Sequence, residues 1–284
     1  MRFRLLLVAA AALFSTGGAV IKLSTLTPLQ VASFRSAVAA AVLSLAMPET
    51  RRRLPRRVWP TVAAYAATLV LFVVATRLTT AANAIFLQST APFYVLLLGP
   101  PLLGEPITRR GVMYLGAVAA GMVILFLGAE QAFATAPDPR TGNVLALASG
   151  LAWALTLIGL RAGGRGETKS GSTALATVVA GNLLAFVAVL PVALPVVRIT
   201  TGNLAIILYL GAVQIGLAYV CLARAIPHVP AFEATTVLLV EPVMNPVWTW
   251  LVHGERPSTA ALAGGAIILV ATLGNAWSTR RQAT

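Results

Sequence analysis

Three ionisable residues fall inside long apolar stretches of this chain: Arg35, Glu233 and Glu241. Charge within a bilayer is expensive, so such groups face the protein interior or a water-filled cavity and mark pathways for substrates or ions. Glu241 offers a carboxylate to a substrate ammonium or to a coupled proton. The alternative is a structural carboxylate held beside the helix distortions at Pro242 and Pro246. Glu233 precedes it by eight residues, so on a continuous helix the two share a face with Val237, Asn245 and Trp248. Glu233 reads as a gating or coupling group, and Asn83 holds the matching position in the first half of the chain. Arg35 has the planar fork that suits a substrate carboxylate, with helix packing or snorkelling as its alternative role.

Neutral groups add to this set. Trp153 falls near the middle of an apolar run among Gly150, Ala152 and Ala154, where a large ring can line a cavity and stack on an apolar substrate. Core packing against a neighbouring helix is the competing reading. Trp59, Trp250 and Trp277 lie near run ends and fit an interfacial belt. Gln88, Ser89 and Thr90 precede Pro92, and a proline in mid-helix frees a carbonyl that nearby polar groups must satisfy. Gln88 is the best binder of the three, because its amide both donates and accepts. Gln214 and Tyr219 form a similar pair later in the chain. Pro92 and Pro242 are hinge candidates.

The elements that must position these residues are membrane-spanning helices. Apolar residues make up 58% of the 284 and charged residues 10%, against about 45–50% and about 25% in a soluble domain. Mean hydropathy is +0.86. Runs such as Leu69-Val70-Leu71-Phe72-Val73-Val74 do not alternate, which argues against a transmembrane β-barrel. The net charge of +13 gathers between apolar runs, as in Arg51-Arg52-Arg53 with Arg56-Arg57. That pattern suits topology determinants facing anionic lipid and not a nucleic-acid surface. Cys221 is the single cysteine, so no intrachain disulfide forms. With two histidines and eight acidic residues, no metal site, cofactor or catalytic residue is expected. Nor is there a Gly-x-x-x-x-Gly-Lys phosphate loop.

A span needs about 20 mostly apolar residues. Ten are read, at 4–22, 27–47, 59–77, 81–103, 108–129, 142–161, 173–197, 201–223, 229–252 and 258–278. Residues 1–19 resemble a signal peptide, but the apolar run continues to Ile21 and is read as a retained first helix. With the N-terminus cytoplasmic, fifteen of the 21 basic residues fall inside, five outside, and Arg35 lies within a span. Both termini are therefore expected in the cytoplasm.

The chain also repeats itself. Pro92 and Pro242 stand 150 residues apart, each in an apolar run that closes on a Gly-Glu pair, Gly104-Glu105 and Gly254-Glu255. Each half holds five spans, an odd number, so the second half sits upside down relative to the first. Inverted halves of this kind give alternating access to a central site. Glu105 and Glu255 are expected to cap helices or act at gates. Small residues four apart, Ala117 and Gly121, Ala146 and Gly150, Ala261 and Gly265, are expected to permit close contacts between helices.

The segments Leu217-Ala218-Tyr219, Ala223-Arg224-Ala225, Val229-Pro230-Ala231, Glu241-Pro242 and Gly254-Glu255-Arg256-Pro257 resemble the second repeat of EamA-type transporters. These transporters belong to the drug/metabolite transporter (DMT) superfamily. Phe34-Arg35, Thr79-Thr80-Ala81-Ala82, Thr90-Ala91-Pro92 and Gly104-Glu105-Pro106 resemble the first repeat. The resemblance spans nearly the whole chain. It implies an all-α membrane protein of ten transmembrane helices in two inverted five-helix repeats, 1–135 and 136–284. Cytoplasmic termini and efflux follow from the same resemblance. Many relatives carry Trp-Gly in the first span where this chain reads Phe14-Ser15-Thr16-Gly17, so any aromatic role is expected of Trp153 and not of Phe14.

The expected function is that of a secondary exporter of small metabolites, chiefly aromatic or neutral amino acids, in a bacterial cytoplasmic membrane. Its partners are a small-molecule substrate and the lipid bilayer, with no nucleic acid, in a monomer or homodimer. Alternatives on the same scaffold are a flippase for lipids or lipid-linked sugars and a multidrug or nucleotide-sugar transporter. An intramembrane enzyme is disfavoured, because Asp138 is the sole aspartate and lies in a loop.

Overall fold

The computed structural model describes residues 2–127, 136–164, 172–196, 198–253 and 259–281. These form ten helical rods, and no strand occurs among the described residues. In lipid each backbone N–H and C=O must find its partner within the chain, which selects helix. We number the rods α1 (Arg2–Ser15 and Gly17–Leu23), α2 (Pro28–Ala46), α3 (Trp59–Leu78), α4 (Ala81–Gln88 and Ala91–Leu103) and α5 (Arg109–Leu127). The second half contributes α6 (Pro139–Gly164), α7 (Ser172–Ala193), α8 (Thr201–Leu208, a π segment Tyr209–Leu217, and Ala218–Ala225), α9 (Ala231–Val237 and Val240–His253) and α10 (Thr259–Arg281). Each expected span falls on one rod. Seven rods are long and apolar enough to cross a bilayer, and α5 and α10 carry shorter apolar stretches over Gly111–Ile124 and Leu262–Ala271.

Helix starts follow local chemistry. Thr27 and Gln30 cap α2 reciprocally, with Pro28 in the first turn. The Thr80 hydroxyl accepts from Asn83 N at 3.1 Å at the start of α4, and Thr200 does the same for Asn203 at the start of α8. The second segment of α4 stops at Gly104, whose φ of 65° is a left-handed cap that glycine adopts without strain.

The broken rods matter most. Pro92 interrupts α4 at Ser89–Thr90, and the two hydroxyls turn back onto the Ile85 and Leu87 carbonyls, both at 2.6 Å. Pro242 interrupts α9 at Leu238–Leu239, where the turn is closed by backbone alone, Glu241 N donating to Leu238 O at 2.9 Å. The expected common face for Glu233 and Glu241 is therefore corrected: the residues lie on separate segments of α9, because the proline prevents one continuous helix.

Rod α6 is the strut against which both broken helices lie. A Cβ on Gly142 would fall 2.7 Å from Thr79 N, and one on Gly150 would fall 3.0 Å from Gln88 O. At the far end, a Cβ on Gly164 would fall 2.6 Å from Pro227 Cγ. The start of α4 thus meets one end of α6 and the approach to α9 meets the other. The two enter from opposite faces, which is the inversion in structural form. Gly121 similarly seats α5 on Gly264 and Ile268 of α10. Of the expected small residues, Gly121, Gly150 and Gly265 meet neighbouring helices and Ala146 is buried, whereas Ala117 is exposed.

Candidate substrate cavity

Trp153, Gln88, Glu241, Tyr219, Gln214 and Arg35 all line one cavity between the two halves, where the space between atoms, open solvent included, is about 400 Å³. Five rods supply their polar groups. Arg35 comes from α2 and is 1% exposed. One terminal guanidinium nitrogen donates to Leu69 O at 3.1 Å, while its Nε has no partner. Gln214 comes from the π segment of α8, 5% exposed, with Nε2 directed at Phe14 O at 3.5 Å and Oε1 unpartnered. Gln88 ends the first segment of α4, and its Nε2 donates to Ser149 Oγ of α6 at 2.7 Å. Glu241 lies in the first turn of the second segment of α9.

A smaller void of about 260 Å³ adjoins the cavity and shares Gln88, Trp153 and Glu241 with it, but neither Arg35 nor Gln214. The cavity is therefore polar at two ends. Gln88 and Glu241 stand where the breaks in α4 and α9 face each other, and Arg35 and Gln214 stand away from them.

Aromatic rings form the wall between. Phe14 meets Trp153 edge-on at 6.0 Å and Tyr219 at 5.0 Å, and Trp153 meets Tyr219 at 6.0 Å. Phe14, of which no aromatic role was expected from sequence, lines the cavity beside Trp153. The break in α1 explains this. It is held from the second half by Trp248 Nε1 on Ser15 Oγ at 2.7 Å and by the Tyr209 hydroxyl on Thr16 Oγ1 at 3.0 Å. Behind the wall Tyr65 packs on Tyr219 at 4.8 Å and accepts from Asn182 Nδ2 at 2.8 Å. Sequence reasoning missed Phe14, Tyr65 and Thr68. A tyrosine in mid-span was the available signal for Tyr65, because its hydroxyl needs a partner there.

The gating and coupling candidates lie in different places. Pro92 lines the smaller void, and Pro242 is buried at the second break. Asn83 is away from the cavity, its Nδ2 donating to Thr79 Oγ1 at 3.3 Å. Thr79 in turn donates to Asn143 of α6 at 2.9 Å. Glu233 is paired with Arg4 of α1, next to the stacked rings of Phe3 and His228 at 4.0 Å. Glu105 binds across the halves: Oε1 accepts from Arg161 Nε at 3.0 Å and Oε2 from Ala231 N at 2.9 Å. It thereby caps α9, while Arg161 also donates to the carbonyls of Ile226 and Pro227. Glu255 and Gly254 lie outside the described residues.

Ten apolar rods in two inverted sets, enclosing a cavity lined by polar and aromatic groups, define a polytopic membrane protein of the inverted-repeat transporter type. The chain belongs to the EamA-like transporter family, whose model matches residues 2–127 and 140–277. This places it in the drug/metabolite transporter superfamily. It is 34% identical to an uncharacterized protein, PA1977, of Pseudomonas aeruginosa over 64% of this chain, and it spans 62% of that relative's length. It is 28% identical to the pseudopaline exporter CntI of two strains of the same species, over 95% of this chain and 94% of the relative. A protein of known crystal structure superposes with a TM-score of 0.78 at 19% identity, covering 99% of each chain. At that identity the likeness is one of fold.

Proposed function

We propose that this protein is a secondary exporter of small zwitterionic metabolites, amino acids foremost, working by alternating access at the central cavity. One observation carries the reading: a buried guanidinium, Arg35, and a carboxyl group, Glu241, line the same cavity without bonding to each other. A solute bearing a carboxylate and a hydrogen-bond donor can satisfy both groups where water is scarce. The rings of Phe14, Trp153 and Tyr219 supply the apolar contact for its side chain. The near full-length similarity to the pseudopaline exporters supports outward transport. The charge bias of the loops supports cytoplasmic termini in a bacterial inner membrane.

Purified protein in liposomes, assayed for counterflow of a panel of labelled amino acids with and without a pH gradient, tests the reading. Saturable exchange of at least one amino acid, lost in Trp153→Ala, is the expected result. No exchange of any amino acid under either condition would rule it out. Stimulation by the gradient, abolished in Glu241→Gln, would identify Glu241 as the proton-coupling group.

A further inference from the structure

We propose that the cavity reads its substrate at two ends, so that it selects amino acids bearing a second hydrogen-bond donor at the tip of the side chain. The inference rests on the reading of this same cavity as an amino-acid site.

The end away from the helix breaks carries an unpartnered donor, Arg35 Nε, and an unpartnered acceptor, Gln214 Oε1, both deeply buried. Buried polar atoms are almost always paired, so two orphans lining one cavity point to a ligand that completes them. They stand on adjoining walls. Rod α2 and the π segment of α8 pack so closely that a Cβ on Gly211 would fall 2.7 Å from Arg35 O. A π segment within a helix often marks a functional site, because it redirects a side chain out of register. Gly17 leaves the room that Gln214 uses, since a Cβ there would fall 2.7 Å from Gln214 Nε2. The α-carbon of an amino acid bears a carboxylate and an ammonium side by side, an acceptor for Arg35 and a donor for Gln214.

With the head group held there, the other end still presents acceptors. Gln88 spends its Nε2 on Ser149, which leaves its carbonyl oxygen for the cavity, and Glu241 adds a carboxyl oxygen as a second acceptor. Two acceptors beyond an aromatic wall call for a donor at the far tip of the substrate, an amine or a hydroxyl. An apolar tip would leave them unpaired, and sites built around a buried hydrogen bond reject analogues that lack it.

Matched pairs of amino acids test this in liposomes with the unaltered protein: lysine against norleucine, and tyrosine against phenylalanine. The donor-bearing member of a pair is expected to exchange at least about tenfold more efficiently. Glu241→Gln should narrow the lysine–norleucine gap, whereas Gln214→Met should weaken all four substrates alike. A preference in one pair alone supports the inference and identifies the donor as amine or hydroxyl. Equal exchange within both pairs overturns the inference and leaves amino-acid transport standing. Exchange of no amino acid overturns both. Because the pairs are compared on the unaltered protein, the outcome does not depend on how well a variant folds.

Discussion

The two broken helices, α4 and α9, occupy equivalent places in the two halves and are held by different means. Rod α4 is capped and closed at its break by its own side chains. Its own Thr80 caps its first turn, and its own Ser89 and Thr90 cover the carbonyls at the break. Rod α9 has no capping side chain of its own at Pro230, and its break carries two leucines. Its first N–H is accepted by Glu105, which follows α4 in the opposite half. One helix is thus stabilised locally, and the other depends on contact between the halves. On the alternating-access reading proposed above, α9 is the helix whose footing changes with the state.

This contrast is most open to attack at Glu105. Glu105→Ala leaves Arg161 and the Ala231 N–H without their shared acceptor, at side-chain exposures of only 15% and 19% for the ion pair. Breaking such a pair from one side should cost about 3 kcal/mol, read as a fall in thermal unfolding temperature in detergent. Glu105→Gln keeps an acceptor for Ala231 N–H and should recover part of the loss. A variant as stable as the parent would remove the asymmetry between α4 and α9.

Gly150→Val should come next. Its side chain would press on the Gln88 and Leu87 carbonyls at 3.0 and 3.1 Å, an overpacking cost of about 2 kcal/mol. Transport should fall further than stability, because α4 would be displaced at the cavity. Thr80→Ala tests the local side of the comparison and should cost about 1 kcal/mol, with no effect on α9. If Thr80→Ala weakened the protein as much as Glu105→Ala, the local and cross-half caps would be equivalent.

The smallest effect is expected at Asp138, which precedes α6 and accepts from Thr141 N at 3.2 Å. Hydrogen bonding from the Thr141 hydroxyl, and then from the Thr141 N–H, holds its carboxyl below the usual aspartate range. A depressed carboxylate stabilises the fold above its ordinary pKa and loses that contribution as pH falls through the lowered value. Asp138→Asn keeps an accepting oxygen for the cap, so its stability should show a slightly weaker dependence on pH in the acid range.

Much of this architecture is legible from residue types. A charged residue in an apolar run has few tolerable environments, so Arg35 and Glu241 announced an interior site before any helix was placed. Gln88, Gln214 and Trp153 were legible for the same reason, as polar or bulky groups among small apolar neighbours. Phe14 was not, because a phenylalanine among apolar residues suits lipid, core and cavity equally well. The pairs Arg4–Glu233 and Glu105–Arg161 were hidden because their members lie 229 and 56 residues apart. Pairing at such separations depends on helix packing and not on spacing along the chain.

The number of spans, their inversion and the residue types at the centre all follow from the chain's own order. They depend on local rules: hydrophobic length, charge beside each span, and an odd count of helices per half. The split of the cavity into two polar ends does not. It arises because Pro92 and Pro242 break α4 and α9 at facing points, while the close packing of α2 on the π segment of α8 sets Arg35 and Gln214 apart from them. Those distances are fixed by side chains meeting across helices far apart in sequence, and that packing exists only once the rods are assembled.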